Sequence, residues 1–182
     1  MRLRAAASTI LLATLAVVVA SGQRQAQRPP QQPSGTPWHE VQSKEVNLRL
    51  RLPAQWQSKP ATSNGRPCLA AISPKSTIYL HACSFHNADL SLDDLLDQTL
   101  TDLGIDLDDD PGEERINGLD TLVGEATTTL AGQDVGMFIV AAAYGDTRYV
   151  VTVMTRASLF DANARTMNRI VDSLAPLAAA AK

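Results

Sequence analysis

TLVGEATTTL (residues 121–130), VGMFIVAAAY (135–144) and RYVVTVMT (148–155) follow one another almost without a break. Gly132-Gln133 separates the first two runs and Gly145-Asp146 the last two. Three runs rich in Val and Thr, joined by tight glycine turns, are the pattern of an antiparallel meander. A short strand from Glu113 to Ile116 leads into it through the turn Asn117-Gly118.

Upstream of the meander, VNLRLRL (46–52) alternates apolar and polar residues. Val46, Leu48, Leu50 and Leu52 are set to face a core, and Asn47, Arg49 and Arg51 to face water. Pro53 is expected to end this strand, with Trp56 anchoring the loop beyond it. Leu69–Ile72 and Ile78–Ala82 flank SPKST (73–77), which has the chemistry of a turn. Pairing Ser73 with Ile78 places Cys68 directly opposite Cys83, near disulfide reach. Leu69 then faces Ala82, and Ala71 faces Leu80.

Two helices complete the pattern. Ser91-Leu-Asp-Asp94 is a capping box, Leu92, Leu95, Leu96, Leu100 and Leu103 keep helical spacing, and Gly104 supplies a stop. A second helix is predicted from Asp161, read as its N-cap, to Leu174, with Pro176 past its end. Its apolar stripe is Ala164, Met167, Ile170, Val171 and Leu174. Strands come in runs, without β–α–β alternation. The expected class is therefore α+β, an antiparallel sheet covered by helices.

The N-terminal segment gives an address. Met1-Arg-Leu-Arg4 is followed by an uncharged stretch from Ala5 to Ala20 that ends Ala20-Ser21-Gly22. This is the layout of a secretion signal cut between Gly22 and Gln23; an uncleaved N-terminal anchor is the alternative. Residues 23–37 are rich in Pro and Gln with almost nothing to bury, the composition of a disordered linker. One domain is expected over 38–177, with a frayed tail at 178–182. An exported chain meets an oxidising compartment, which suits a structural Cys68–Cys83 bond.

Charge and motifs exclude more than they assign. Removing the signal takes Arg2 and Arg4 but no acid, moving the formal net charge from −3 to −5. A nucleic-acid partner is disfavoured, because phosphate neutralisation needs a basic patch. Stable membrane insertion after cleavage is not expected either. Between Asp89 and Glu114 stand 11 of the 19 acidic residues and no Lys or Arg. Asp106, Asp108 and Asp110 have the alternate spacing of a calcium loop, but Pro111 holds the place of the turn glycine. Asn117 stands where the bidentate Glu would be. A solvated acidic loop, or a docking surface for a basic protein partner, is the competing reading. His39, His81 and His86 show no zinc-site spacing, with His81 and His86 pointing to opposite faces of one strand. No Gly-x-Ser-x-Gly, phosphate-loop or dinucleotide motif is present, so no catalytic residue and no cofactor is assigned. The strip Gly136, Ala141–Ala143 and Gly145 either leaves room for an apolar ligand or lets a helix pack close.

Leu50-Arg-Leu-Pro-Ala-Gln-Trp56 resembles the strand ending in Leu-Pro-x-x-Trp that opens many PsbP-like domains. Ile116-Asn-Gly118 before a long strand, the hairpin through Gly132 and the closing helix NRIVDSL (168–174) are similar too. That family includes thylakoid-lumen photosystem proteins and exported bacterial members such as DcrB and LpqN. The resemblance spans about residues 46–175. It implies an antiparallel sheet between helices and an accessory, assembly or binding role. An exported, non-enzymatic interaction protein of the cell envelope is the expected function. A calcium-dependent binder and an unidentified hydrolytic enzyme are the alternatives.

Overall fold

The computed structural model describes residues 37–177. The expected leader with its cut at Gly22–Gln23, the linker up to residue 36 and the tail 178–182 lie outside the described residues. The elements run β1 (Trp38–Ser43), β2 (Leu48–Pro53), β3 (Gln57–Ser63), β4 (Arg66–Ile72), β5 (Ile78–His86), α1 (Leu92–Leu103) and β6 (Gly112–Ile116). They continue β7 (Leu119–Leu130), β8 (Gln133–Tyr144), β9 (Thr147–Arg156), α2 (Phe160–Val171) and β10 (Ala175–Pro176).

The chain is α+β, and its strands form two antiparallel sheets rather than one. The large sheet has the order β3-β4-β5-β9-β8-β7-β6 and contains the meander β7-β8-β9. The small sheet, β1-β2-β10, holds the alternating Leu/Arg strand. Leu48, Leu50 and Leu52 are fully buried against the large sheet, while Arg49 and Arg51 are exposed. The strand starts at Leu48 and includes Pro53; Val46 is buried in the turn before it. Pro176 lies beyond the last helix, as expected, and there pairs with Leu48. Its missing N–H is tolerated at the margin of a small sheet.

Each face of the large sheet has its own core. On one side Leu80, Val140, Tyr149, Val151 and Val153 pack against β2 and against Met167, Ile170 and Val171 of α2. On the other, Leu122, Met137, Ile139 and Ala141 pack under Leu95 and Leu96 of α1. Alternation along the meander strands supplies both faces at once. Ala141 and Ala142 are buried in opposite cores. Gly136 makes room for Phe160, since a Cβ there would lie 2.6 Å from the phenyl ring, which itself packs on Phe138. Gly136, Ala141 and Ala142 are thus taken up by close packing, while Gly145 is exposed in the β8–β9 turn with open space at its Cβ position.

The two helices are started differently, α1 by local capping chemistry and α2 by a tertiary contact. Ser91 Oγ accepts the Asp94 N–H at 3.1 Å, and Gly104 closes α1 in the left-handed conformation at φ 68°. The expected N-cap at Asp161 is not observed. A 3-10 turn over Ala157–Leu159 delivers Phe160 already helical, anchored by its ring above Gly136. Asp161 sits within the first turn, where a carboxylate still favours the positive helix end. The helix stops at Val171, short of the expected Leu174.

The β4–β5 register is the one the turn chemistry predicts, Cys68 facing Cys83 and Ala71 facing Leu80, and a disulfide joins the two cysteines. Their separation of 15 residues closes only a short loop. Replacing both cysteines with alanine is expected to lower unfolding free energy by up to about 3 kcal/mol in denaturant titrations, with the fold retained.

Candidate ligand cleft and acidic flank

Arginines from β2 and α2 converge on one open cleft. The period-two pattern of β2 turns Arg49 and Arg51 outward, next to Trp38 and Glu40 of β1. The last turn of α2 brings Arg169, with Asp172 and Ser173 following. Asn117, at φ 48° in the β6–β7 turn, donates from Nδ2 to the carbonyls of Asp172 (2.8 Å) and Leu174 (3.0 Å). That tie seals the C-terminal end of α2. Ser173 Oγ accepts the Arg51 backbone N–H at 2.8 Å and donates to the Ile170 carbonyl at 2.7 Å. The Arg169 guanidinium lies 4.4 Å from the Trp38 ring centroid. Arg49 and Glu40 form a loose exposed pair at 3.8 Å. The volume of the cleft is about 380 Å³.

The acidic residues gather elsewhere. Asp93, Asp94, Asp97 and Asp102 are exposed on α1, Asp106 and Asp108–Asp110 on the following loop, and Glu113 and Glu114 on β6. Ile105 and Leu107 pin this loop to the core under α1, and Asp108 accepts from Thr127 Oγ1 at 3.0 Å. Among the described residues the ion pairs are Arg49–Glu40 and Arg115–Asp120, so none of these ten carboxylates is paired with a cation. Asp106, Asp108 and Asp110 do not converge into a shared ligand shell among the described residues.

The described group compact enough to share an ion is Cys68, His81 and Cys83, with ligand atoms within 4.8 Å of one another. Its two sulfurs are bonded to each other, so neither is a thiolate ligand. His81 Nδ1 lies 3.6 Å from Cys83 Sγ, and burial holds the imidazole pKa below its usual 6.5. A depressed folded-state pKa contributes stability above pH 6.5 that is lost as pH falls through the folded value. Thermal melts should therefore fall more steeply below pH 6.5 in the wild type than in His81→Asn. His86 is exposed at the end of β5, on the opposite face from His81, and His39 lies on β1. The three histidines do not meet.

Sequence reading placed Arg49 and Arg51 on the solvent side but not the cleft, because Trp38 and Arg169 reach it through tertiary packing. It also missed β1 and β3. For β3 the signal was present: Asn64-Gly65, both at positive φ, is the hairpin turn joining it to β4.

No protein-family model and no curated protein matches the sequence. Solved structures do match. The solution structure of cyanobacterial PsbP (CyanoP) from Synechocystis sp. PCC 6803 superposes with a TM-score of 0.60 at 12% identity, covering 79% of this chain and 95% of that one. LpqN, involved in cell envelope biogenesis of Mycobacterium tuberculosis, gives 0.50 at 12% identity over 76% and 90% of the two chains. A protein from Bacteroides thetaiotaomicron VPI-5482 gives 0.52 at 13% identity, over 75% of this chain and 47% of that one. The fold is PsbP-like.

Proposed function

We propose that this PsbP-like domain is an exported, non-catalytic accessory module of the cell envelope that docks a basic protein partner through its acidic flank. The observation that carries the reading is the flank itself: ten exposed carboxylates on α1, its loop and β6, none of them ion-paired among the described residues. Uncompensated like charge costs the isolated chain self-repulsion. A cationic partner relieves that cost and is steered to the surface over a Debye length of about 10 Å at 0.1 M salt.

The address is supported by the leader-like residues 1–22 and by a cross-strand disulfide, which persists in oxidising compartments. Among the described residues no helix is long and apolar enough to cross a membrane. The fold shared with LpqN, a protein tied to envelope biogenesis, points the same way.

Affinity capture from envelope extract tests the docking claim. The wild type is expected to recover a partner with a Lys/Arg-rich face at low salt and to lose it as salt rises. A variant with Asp97, Asp102, Asp109 and Asp110 changed to Asn should recover little. Equal recovery by both proteins, or no partner in either salt, would count against the reading.

A further inference from the structure

We propose that the cleft between the small sheet and the end of α2 binds the phosphate group of a phosphorylated ligand, through Arg49, Arg51 and Arg169. The chain is acidic overall, yet three of its 16 basic residues line this one depression. A guanidinium presents its donors as a planar fork, the geometry suited to paired phosphate oxygens. Three forks exceed what a lone carboxylate can accept from, and a dianionic tetrahedral group offers oxygens to all of them.

The three arginines are not equivalent. Arg51 has no ion-pair partner among the described residues, and its backbone N–H is already satisfied by Ser173. Arg169 rests on the Trp38 ring, which limits the rotamer freedom it would lose on binding. Arg49 is held by Glu40 at 3.8 Å in an exposed pair that an incoming anion can open at little cost. Glu40 and Asp172 also line the cleft, leaving three guanidinium groups against two carboxylates and a net positive charge for an anion to meet. The volume of about 380 Å³ falls at the lower end of small-ligand sites. The cleft has room for the phosphate and the group attached to it, and its open side leaves part of the ligand in solvent.

Nitrogen–proton correlation spectra of the exported form, titrated with glycerol phosphate and with neutral glycerol, test the proposal. Saturable shifts are expected at the Trp38 indole N–H and at the Arg51 and Arg169 side-chain N–H groups, with phosphate only. Arg51→Gln and Arg169→Gln should each weaken binding roughly tenfold or more, as loss of a charge-assisted hydrogen bond implies. Arg115→Gln, whose ion pair with Asp120 lies outside the cleft, should bind like wild type. A parallel co-sedimentation with vesicles containing phosphatidic acid, whose headgroup is likewise a phosphomonoester, separates the sources. Binding of soluble glycerol phosphate assigns a free phosphomonoester. Binding confined to vesicles and abolished by Arg51→Gln assigns a lipid headgroup, and both outcomes support the site. Absence of saturable binding in both formats, or equal affinity in the arginine variants, overturns it. Arg51→Gln changes one exposed side chain and keeps the backbone bond to Ser173, so a lost response in a folded variant reads on the site.

Discussion

Replacing Arg148 with alanine is expected to lower the unfolding free energy by about 3 kcal/mol or more. Arg148 is only 8% exposed on β9, and no carboxylate pairs with it among the described residues. Its charge is met by main-chain carbonyls: Nε donates to Leu90 at 2.6 Å, one terminal nitrogen to Ala88 at 2.7 Å, the other to Gly145 at 2.9 Å. One side chain thus fastens the segment entering α1 to the β8–β9 turn. Truncation strands those carbonyls and frees the entry segment. Amide exchange should speed up first around residues 87–95. Arg148→Lys should restore only part of the loss, because an ammonium lacks the planar fork that spans three acceptors. A cost below about 1 kcal/mol for the alanine variant, the size of an ordinary single hydrogen bond, would show that the guanidinium does not hold this corner.

Tyr149 should be as sensitive, for a different reason. It is fully buried, and its hydroxyl donates to the Asn47 carbonyl at 3.2 Å, tying the β1–β2 turn to the centre of the large sheet. Tyr149→Ala removes a ring from the core between the two sheets and is expected to cost about 3–5 kcal/mol. Tyr149→Phe keeps the volume and loses one bond, a cost of about 1 kcal/mol. The two variants also differ from wild type in alkali. Burial raises the phenol above its usual pKa of 10.0. The unfolded chain therefore ionises first, and the stability this tyrosine contributes below pH 10.0 is lost as pH rises through the folded value. Denaturant midpoints measured from pH 9 to 11 should decline less in Tyr149→Phe than in wild type.

What could be read from the residues was whatever local chemistry decides. The β4–β5 register follows from one turn, and it alone sets Cys68 opposite Cys83. The meander and the Ser91 cap are equally local. Elements without a buried face left little hydrophobic trace. Strand β3 is a polar edge strand, exposed along most of its length and carrying Pro60, so no alternation marks it. The division into two sheets was hidden because β2 reads the same whether its leucines face a helix or another sheet. The start of α2 was misplaced because Phe160 fixes it by filling the space above Gly136, a contact made across the fold. The arginine cleft is tertiary in the same sense. Arg49 and Arg169 are 120 positions apart and meet only after β10 returns to β2.

An exported, disulfide-closed module is the premise on which the envelope role rests, and intact-mass analysis of the protein recovered from its native cells tests it most directly. The account predicts a chain beginning at Gln23, two hydrogens lighter than the sum of its reduced residues. A chain that still begins at Met1, with Cys68 and Cys83 both alkylated without prior reduction, would contradict it.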